Sequence, residues 1–120
     1  MYLITLFLYN PDLLEEVLQE WDKEGADGAT ILFSTGMERV LQKQGIRDDI
    51  PLIPSLSDFY EAPEAISRTV FTVIKEEIMI EKLLAATQRI TGDLNTPGTG
   101  VLLVSPVLKA YGIDKQGKKK

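Results

Sequence analysis

The chain has 120 residues, 44% of them hydrophobic and 26% charged, which is the make-up of one ordinary domain and excludes collagen, coiled coil, disordered tail and disulfide scaffold. Eighteen acids outweigh thirteen bases, and four of those bases (Lys115, Lys118, Lys119, Lys120) fall in the last six residues, so that up to Asp114 the balance is −9. A body of that sign repels phosphate backbones and argues against a nucleic-acid partner. The sequence holds no cysteine and no histidine, which removes thiolate nucleophiles, disulfides, Cys/His zinc sites and imidazole acid–base work together.

Residues 2–9, YLITLFLY, are a run of strand formers bounded by Asn10-Pro11, and they predict a first strand. Nothing in this run resembles a signal peptide, because it lacks a basic flank and a small-residue cleavage site. Asn10 as cap, Pro11 at the first helical position, and Leu13, Leu14, Val17, Leu18 and Trp21 along one stripe predict an amphipathic helix ending near Gly25. ATILFS, residues 29–34, reads as strand two and is closed by Thr35-Gly36. SRTVFTVI, residues 67–74, is strand three by its β-branched content. A second helix follows, opened by Glu76, Glu77 and Glu81, apolar along Ile80, Leu83, Leu84, Thr87 and Ile90, and ended by Gly92. VLLVSPVL, residues 101–108, is strand four, with Pro106 placing its far end at an edge or bulge.

The order βαβ, long connection, βαβ predicts an α+β ferredoxin-like sandwich, a βαββαβ chain with two helices on one face of a four-stranded antiparallel sheet. Residues 1–114 form this single domain and residues 115–120 a solvated lysine tail. Both faces of the sheet read as apolar in strands one, three and four: Ile4, Leu6 and Leu8 against Leu3, Phe7 and Tyr9, Val70 and Ile74 against Phe71 and Val73, and Val101 and Leu103 against Leu102 and Val104. The face left over by the helices therefore needs a cover, and a second copy of the chain is the simplest one. No apolar run approaches the roughly 18 residues of a membrane span, so the expected location is the cytoplasm and the chain is expected to have no membrane segment of its own.

Thirty residues, 37–66, separate Gly36 from Ser67, with Gly45, Pro51, Pro54 and Pro63 scattered through them and no sustained period. Connections beyond about 12–15 residues are usually functional or disordered, and Leu52, Phe59 and Tyr60 make this one too apolar for a plain linker. It reads either as a surface that docks on a partner or as an insertion that packs on a neighbouring copy.

The element order, the long loop after strand two, Gly28-Ala29-Thr30-Ile31 leading to Thr35-Gly36-Met37-Glu38-Arg39, and Thr91-Gly92 followed by Pro97-Gly98-Thr99-Gly100-Val101 resemble the PII and PII-like nitrogen-regulatory signalling proteins. The resemblance spans nearly the whole chain and rests on topology and short motifs. It implies a homotrimer with its sheets facing the three-fold axis. It also implies an adenine-nucleotide effector held in clefts between subunits, and a T-loop, residues 37–66, that controls a transporter or enzyme. Carried over by position, the effector residues are Thr30, Gly36, Arg39, Gly98, Thr99 and Gly100, and the docking residues Leu52, Phe59 and Tyr60. The glycines would let backbone N–H groups form an anion nest and the arginine would offer a planar fork to phosphate.

The chain also departs from the family pattern. Glu38-Arg39-Val40 stands where the family has Gly-Arg-Gln, so the magnesium-holding glutamine of the 2-oxoglutarate complex is missing. Val101 replaces the B-loop lysine, and Tyr111 and Ile113 replace the paired arginines. Losing three charge-assisted contacts of about 1.5–3 kcal/mol each weakens a triphosphate most, so AMP, ADP, a cyclic nucleotide or another small anion fits better than ATP with magnesium. No cofactor is required, and the expected role is a regulator and not an enzyme.

The rival readings are a structural trimer without ligand, an acylphosphatase-like hydrolase whose first loop, Asn10-Pro11, lacks the needed Arg, and an RNA-recognition module lacking the basic and aromatic signature. The adjacent pairs Glu15-Glu16 and Glu76-Glu77 point apart on a helix and read as solvated charge. Asp48-Asp49 in the long loop could make weak cation contacts.

Overall fold

A computed structural model describes residues 1–37, 41 and 67–113. Along the chain these give β1 (Tyr2–Leu8), a 3-10 turn (Pro11–Leu13), α1 (Leu14–Lys23), β2 (Thr30–Ser34), β3 (Ser67–Ile74), α2 (Ile78–Thr91) and β4 (Gly100–Pro106). The strands form one sheet in the order β2-β3-β1-β4, and every neighbouring pair is antiparallel. The described residues are thus an α+β unit of four antiparallel strands and two helices, compatible with a ferredoxin-like sandwich.

Local chemistry accounts for the boundaries. The Asn10 side chain accepts a hydrogen bond from the Asp12 N–H at 3.0 Å, and Pro11 occupies the first helical position, where its missing N–H is no loss. The first turn is 3-10 before the α-helix begins at Leu14. Strand three occurs as predicted, 67–74, whereas β1 stops at Leu8, β2 starts at Thr30, and β4 runs 100–106 in place of 101–108. Helix α2 begins at Ile78, so Glu76 and Glu77 precede it and Glu81 is the acidic residue of its first turn.

Register fixes the two faces. Ile4 pairs with Thr72 and Val104, and Leu6 with Val70 and Leu102, so these residues share the face that both helices cover. Ile4, Leu6, Leu8, Val70 and Ile74 meet Val17 and Trp21 of α1 and Leu83 and Ala86 of α2, all at 4% exposure or less. Burying aliphatic side chains of this size contributes about 1.5–3 kcal/mol each. Between the helices the Trp21 Nε1–H donates to Thr87 Oγ1 at 2.8 Å, and the Thr87 hydroxyl donates to Leu83 O at 2.7 Å. Trp21 is a core residue, and Thr87 belongs to the core through its hydroxyl.

The opposite face carries the rows Thr30-Phe71-Thr5-Leu103 and Leu32-Thr69-Phe7-Val101. Leu32 and Leu103 are half exposed, at 50% and 51%, and Leu3, Phe7, Phe71 and Val73 are partly exposed. This face is therefore mixed rather than wholly apolar as the sequence suggested: hydroxyl side chains (Thr5, Thr69, Ser67) are buried along its central strands, and its exposed apolar groups stand on the outer strands β2 and β4.

Candidate functional site

Gly36 follows the last residue of β2, and Gly98-Thr99-Gly100 leads into the first residue of β4. Ser34 pairs with Ser67, and Gly100 pairs with Leu8, whose other neighbour is Arg68. Both segments thus lie at the same end of the sheet. They lie on opposite edges of it, however, because β2 and β4 are the outer strands. Three interstrand spacings separate them by about 14 Å. Thr30, on the open face, is four residues down β2 from Ser34, about 13 Å along the strand. One chain therefore does not bring these residues into a single cleft. Arg39, Leu52, Phe59, Tyr60 and Asp48-Asp49 lie outside the described residues, as do the tail lysines.

The turn before β4 is built from its own side chains. The Asp93 carboxylate accepts from the Asn95 N–H at 3.0 Å, the Thr96 N–H reaches Asp93 O at 2.9 Å, and the Thr99 hydroxyl donates to Thr96 O at 2.7 Å. Its glycines are not equivalent. Gly98 has φ +79° with open space where a side chain would project, whereas at Gly100 (φ +151°) a Cβ would stand 2.5 Å from the Phe7 carbonyl oxygen. Gly100 is needed by the β1–β4 pairing itself, and Gly98 by the left-handed turn. Gly36 has neither a left-handed φ nor a neighbour within 4 Å of a built Cβ.

At the β2 edge the sheet holds a hydroxyl triad that the sequence reading did not single out. Ser34 Oγ lies 2.7 Å from Thr69 Oγ1 and 3.1 Å from Ser67 Oγ, and the Ser67 hydroxyl also donates to Ser34 O at 3.1 Å. These groups close the two strands at the point where the long connection leaves and returns. Beside them, on the helix side, the Arg68 guanidinium lies 4.4 Å from the centroid of the Phe33 ring, a cation–π contact. The signal in the sequence is three small hydroxyl residues at alternating positions, legible only once the β2–β3 register is known.

The helices' outer surface carries an ionic clamp. Arg89 donates through Nε and Nη2 to Glu20 Oε1 at 3.2 and 2.9 Å and through Nη2 to Glu24 Oε2 at 3.0 Å, while Lys23 Nζ reaches Glu20 Oε2 at 3.3 Å. The Arg89 hydrogen bonds, followed by that of Lys23, hold the Glu20 carboxyl below the ordinary carboxylate range. Glu20 and Glu24 in turn raise Arg89. Among the described residues no three carboxylates cluster as metal ligands would, and no helix is long and apolar enough to cross a membrane.

The chain matches no protein-family model and no curated protein.

Proposed function

We propose that the chain is a PII-like regulator: a homo-oligomer, by resemblance a trimer, that holds a small effector in clefts between copies and controls a partner protein through residues 37–66. The observation that carries this reading is the placement of the motif residues. Gly36 and the Gly98-Gly100 turn stand at the same end of the sheet but on opposite edges, so that a site using both is completed only between copies. The apolar side chains left exposed on the face opposite the helices, Leu32, Val101 and Leu103, supply a reason for copies to associate.

The effector is an adenine nucleotide of low charge, AMP, ADP or a cyclic nucleotide. Asp93 is the one charged residue between Gly92 and Gly100, and Val101 follows where the family carries its lysine. A negative turn of this kind disfavours a triphosphate. The regulator has no substrate of its own.

The test is a thermal-shift screen of the full chain against ATP, ADP, AMP, cyclic nucleotides and 2-oxoglutarate, with and without magnesium. A ligand at 100 times its dissociation constant adds about 2.7 kcal/mol, which raises the melting temperature of a domain this size by several degrees. A shift with one low-charge adenine nucleotide, lost in Arg39→Ala, is the expected result. An oligomer that responds to none of them overturns effector binding and leaves an interaction trimer, the reading that the loss of the three family cations favours.

A further inference from the structure

A cleft of about 210 Å³ opens between the end of α1 and the start of β2. Leu18, Trp21, Ala26 and Ile31 line it, and Asp22 and Asp27 lie at its rim. Both walls are fixed. On the helix side the Ala26 N–H bonds Trp21 O at 3.1 Å and the Gly25 N–H bonds Asp22 O at 3.1 Å, the paired bonds of a Schellman ending. On the strand side the Thr72 hydroxyl donates to Gly28 O. The cleft is smaller than the roughly 300 Å³ at which small-molecule sites begin, so it has room for one or two side chains and not for a nucleotide.

The same molecule displays side chains that lack a cover. After β4 the segment 107–113 leaves Leu108 93%, Tyr111 87% and Ile113 40% exposed, and the four lysines of the sequence's last six residues follow directly. An apolar stretch leading into a basic one complements an apolar cleft with an acidic rim. Position agrees as well. Pro106 pairs with Tyr2 at the beginning of β1, and the cleft lies at that end of the sheet, level with Thr72. The two features stand on opposite edges, β4 and β2, and within one chain Leu108, Tyr111 and Ile113 face solvent. They meet when the β4 side of one copy adjoins the β2 side of another.

We propose that the segment Leu108–Ile113 of one copy docks in the α1–β2 cleft of a second copy, with Tyr111 or Leu108 entering between Trp21 and Ile31, and with the basic run that follows in the sequence supplying charge opposite to that of Asp22 and Asp27. The contact is heterologous, a tail on one side meeting a cleft on the other, so repetition closes a ring when the rotation allows. It requires no nucleotide.

The sequence has no cysteine, which makes the test direct. Full-length Ala29→Cys and Lys109→Cys chains, both altered at exposed positions that leave Tyr111, Leu108, Asp22 and Asp27 in place, are mixed under mild oxidation. A disulfide needs Cβ atoms within about 4.5 Å, so a 29–109 linked dimer, formed severalfold faster in the mixture than either chain alone forms its symmetric product, is the expected result. Reversing Lys115, Lys118, Lys119 and Lys120 to Glu on the Lys109→Cys chain slows that linkage severalfold. A chain carrying both cysteines that closes on itself as a monomer at high dilution overturns docking between copies. Sedimentation that shows an oligomer without 29–109 linkage overturns the cleft assignment and leaves the proposed regulator standing.

Discussion

The indole of Trp21 is 1% exposed, and its N–H is satisfied by a threonine from the other helix at 2.8 Å. Thr87→Val keeps the side-chain shape, removes that acceptor and strands a buried donor, so urea unfolding should show a loss of about 1–3 kcal/mol. Trp21 is the one tryptophan in the sequence, and its emission reports the transition. A second contrast separates glycines that the fold uses from one that it does not. Gly100→Ala meets the Phe7 carbonyl at 2.5 Å on a left-handed backbone and should destabilise by at least about 1–3 kcal/mol. Gly36→Ala meets nothing and should stay within about 0.5 kcal/mol in the same unfolding experiment. At this scale the sequence was only partly legible. That Trp21 belongs to the core follows from its helical spacing. Thr87 falls on the apolar stripe of the second helix by the same spacing, but its hydrogen bond to Trp21 and those among Ser34, Ser67 and Thr69 could not be read, because each depends on a register or crossing that no local pattern encodes.

Helices α1 and α2 are joined outside the core by Arg89, which binds Glu20 of α1 and Glu24 at its C-cap. Because the Glu20 carboxyl titrates below its ordinary value of 4.5 in the folded chain, its contribution is fully present above that pH. It is lost as pH falls from 4.5 through the lowered folded value, where the unfolded chain binds the proton first. Stability measured by denaturant titration should therefore decline below pH 4.5, and Arg89→Met should make the decline shallower by removing the main cause of the shift. High salt should reduce the clamp in the native chain, since the pair is solvent-exposed. The elements themselves were the most legible level. Asn10-Pro11 and Gly92 mark helix ends through capping chemistry, and strand formers mark the strands. The one- and two-residue differences at β1, β2 and β4 arise because pairing partners, and not composition, decide where a strand stops. The Val107 N–H, for instance, still donates to Met1 O at 3.0 Å beyond the end of β4.

For the molecule as a whole, the unequal treatment of the two sheet faces has the largest consequence. One face is covered by α1 and α2 over its two central strands, while Phe33 and Val104 on its outer strands stay exposed, and the other leaves Leu32, Val101 and Leu103 in water. Leu103→Lys places a charge on the β4 edge of the open face without touching the core. It should convert the proposed oligomer to monomer in sedimentation velocity while leaving the circular dichroism of the fold unchanged. The exposed leucines and valine of this face could be read from the sequence, whereas the hydroxyls between them (Thr5, Ser67, Thr69) emerge on it only once the strand register is known. The separation of Gly36 from Gly98 across the sheet could not, since strand order is a property of the assembled sheet. The hydroxyl triad has a further meaning at this scale. Ser34 and Ser67, the residues that flank the long connection, are hydrogen-bonded to each other, so the sheet is fastened shut on its own side of that connection. Loop-closure entropy changes by only about 0.6 kcal/mol for each doubling of length. A scaffold fastened in this way can exchange, lengthen or lose its connecting segment with little strain on the strands, and a lineage built on it is free to rewrite that segment while inheriting the same core.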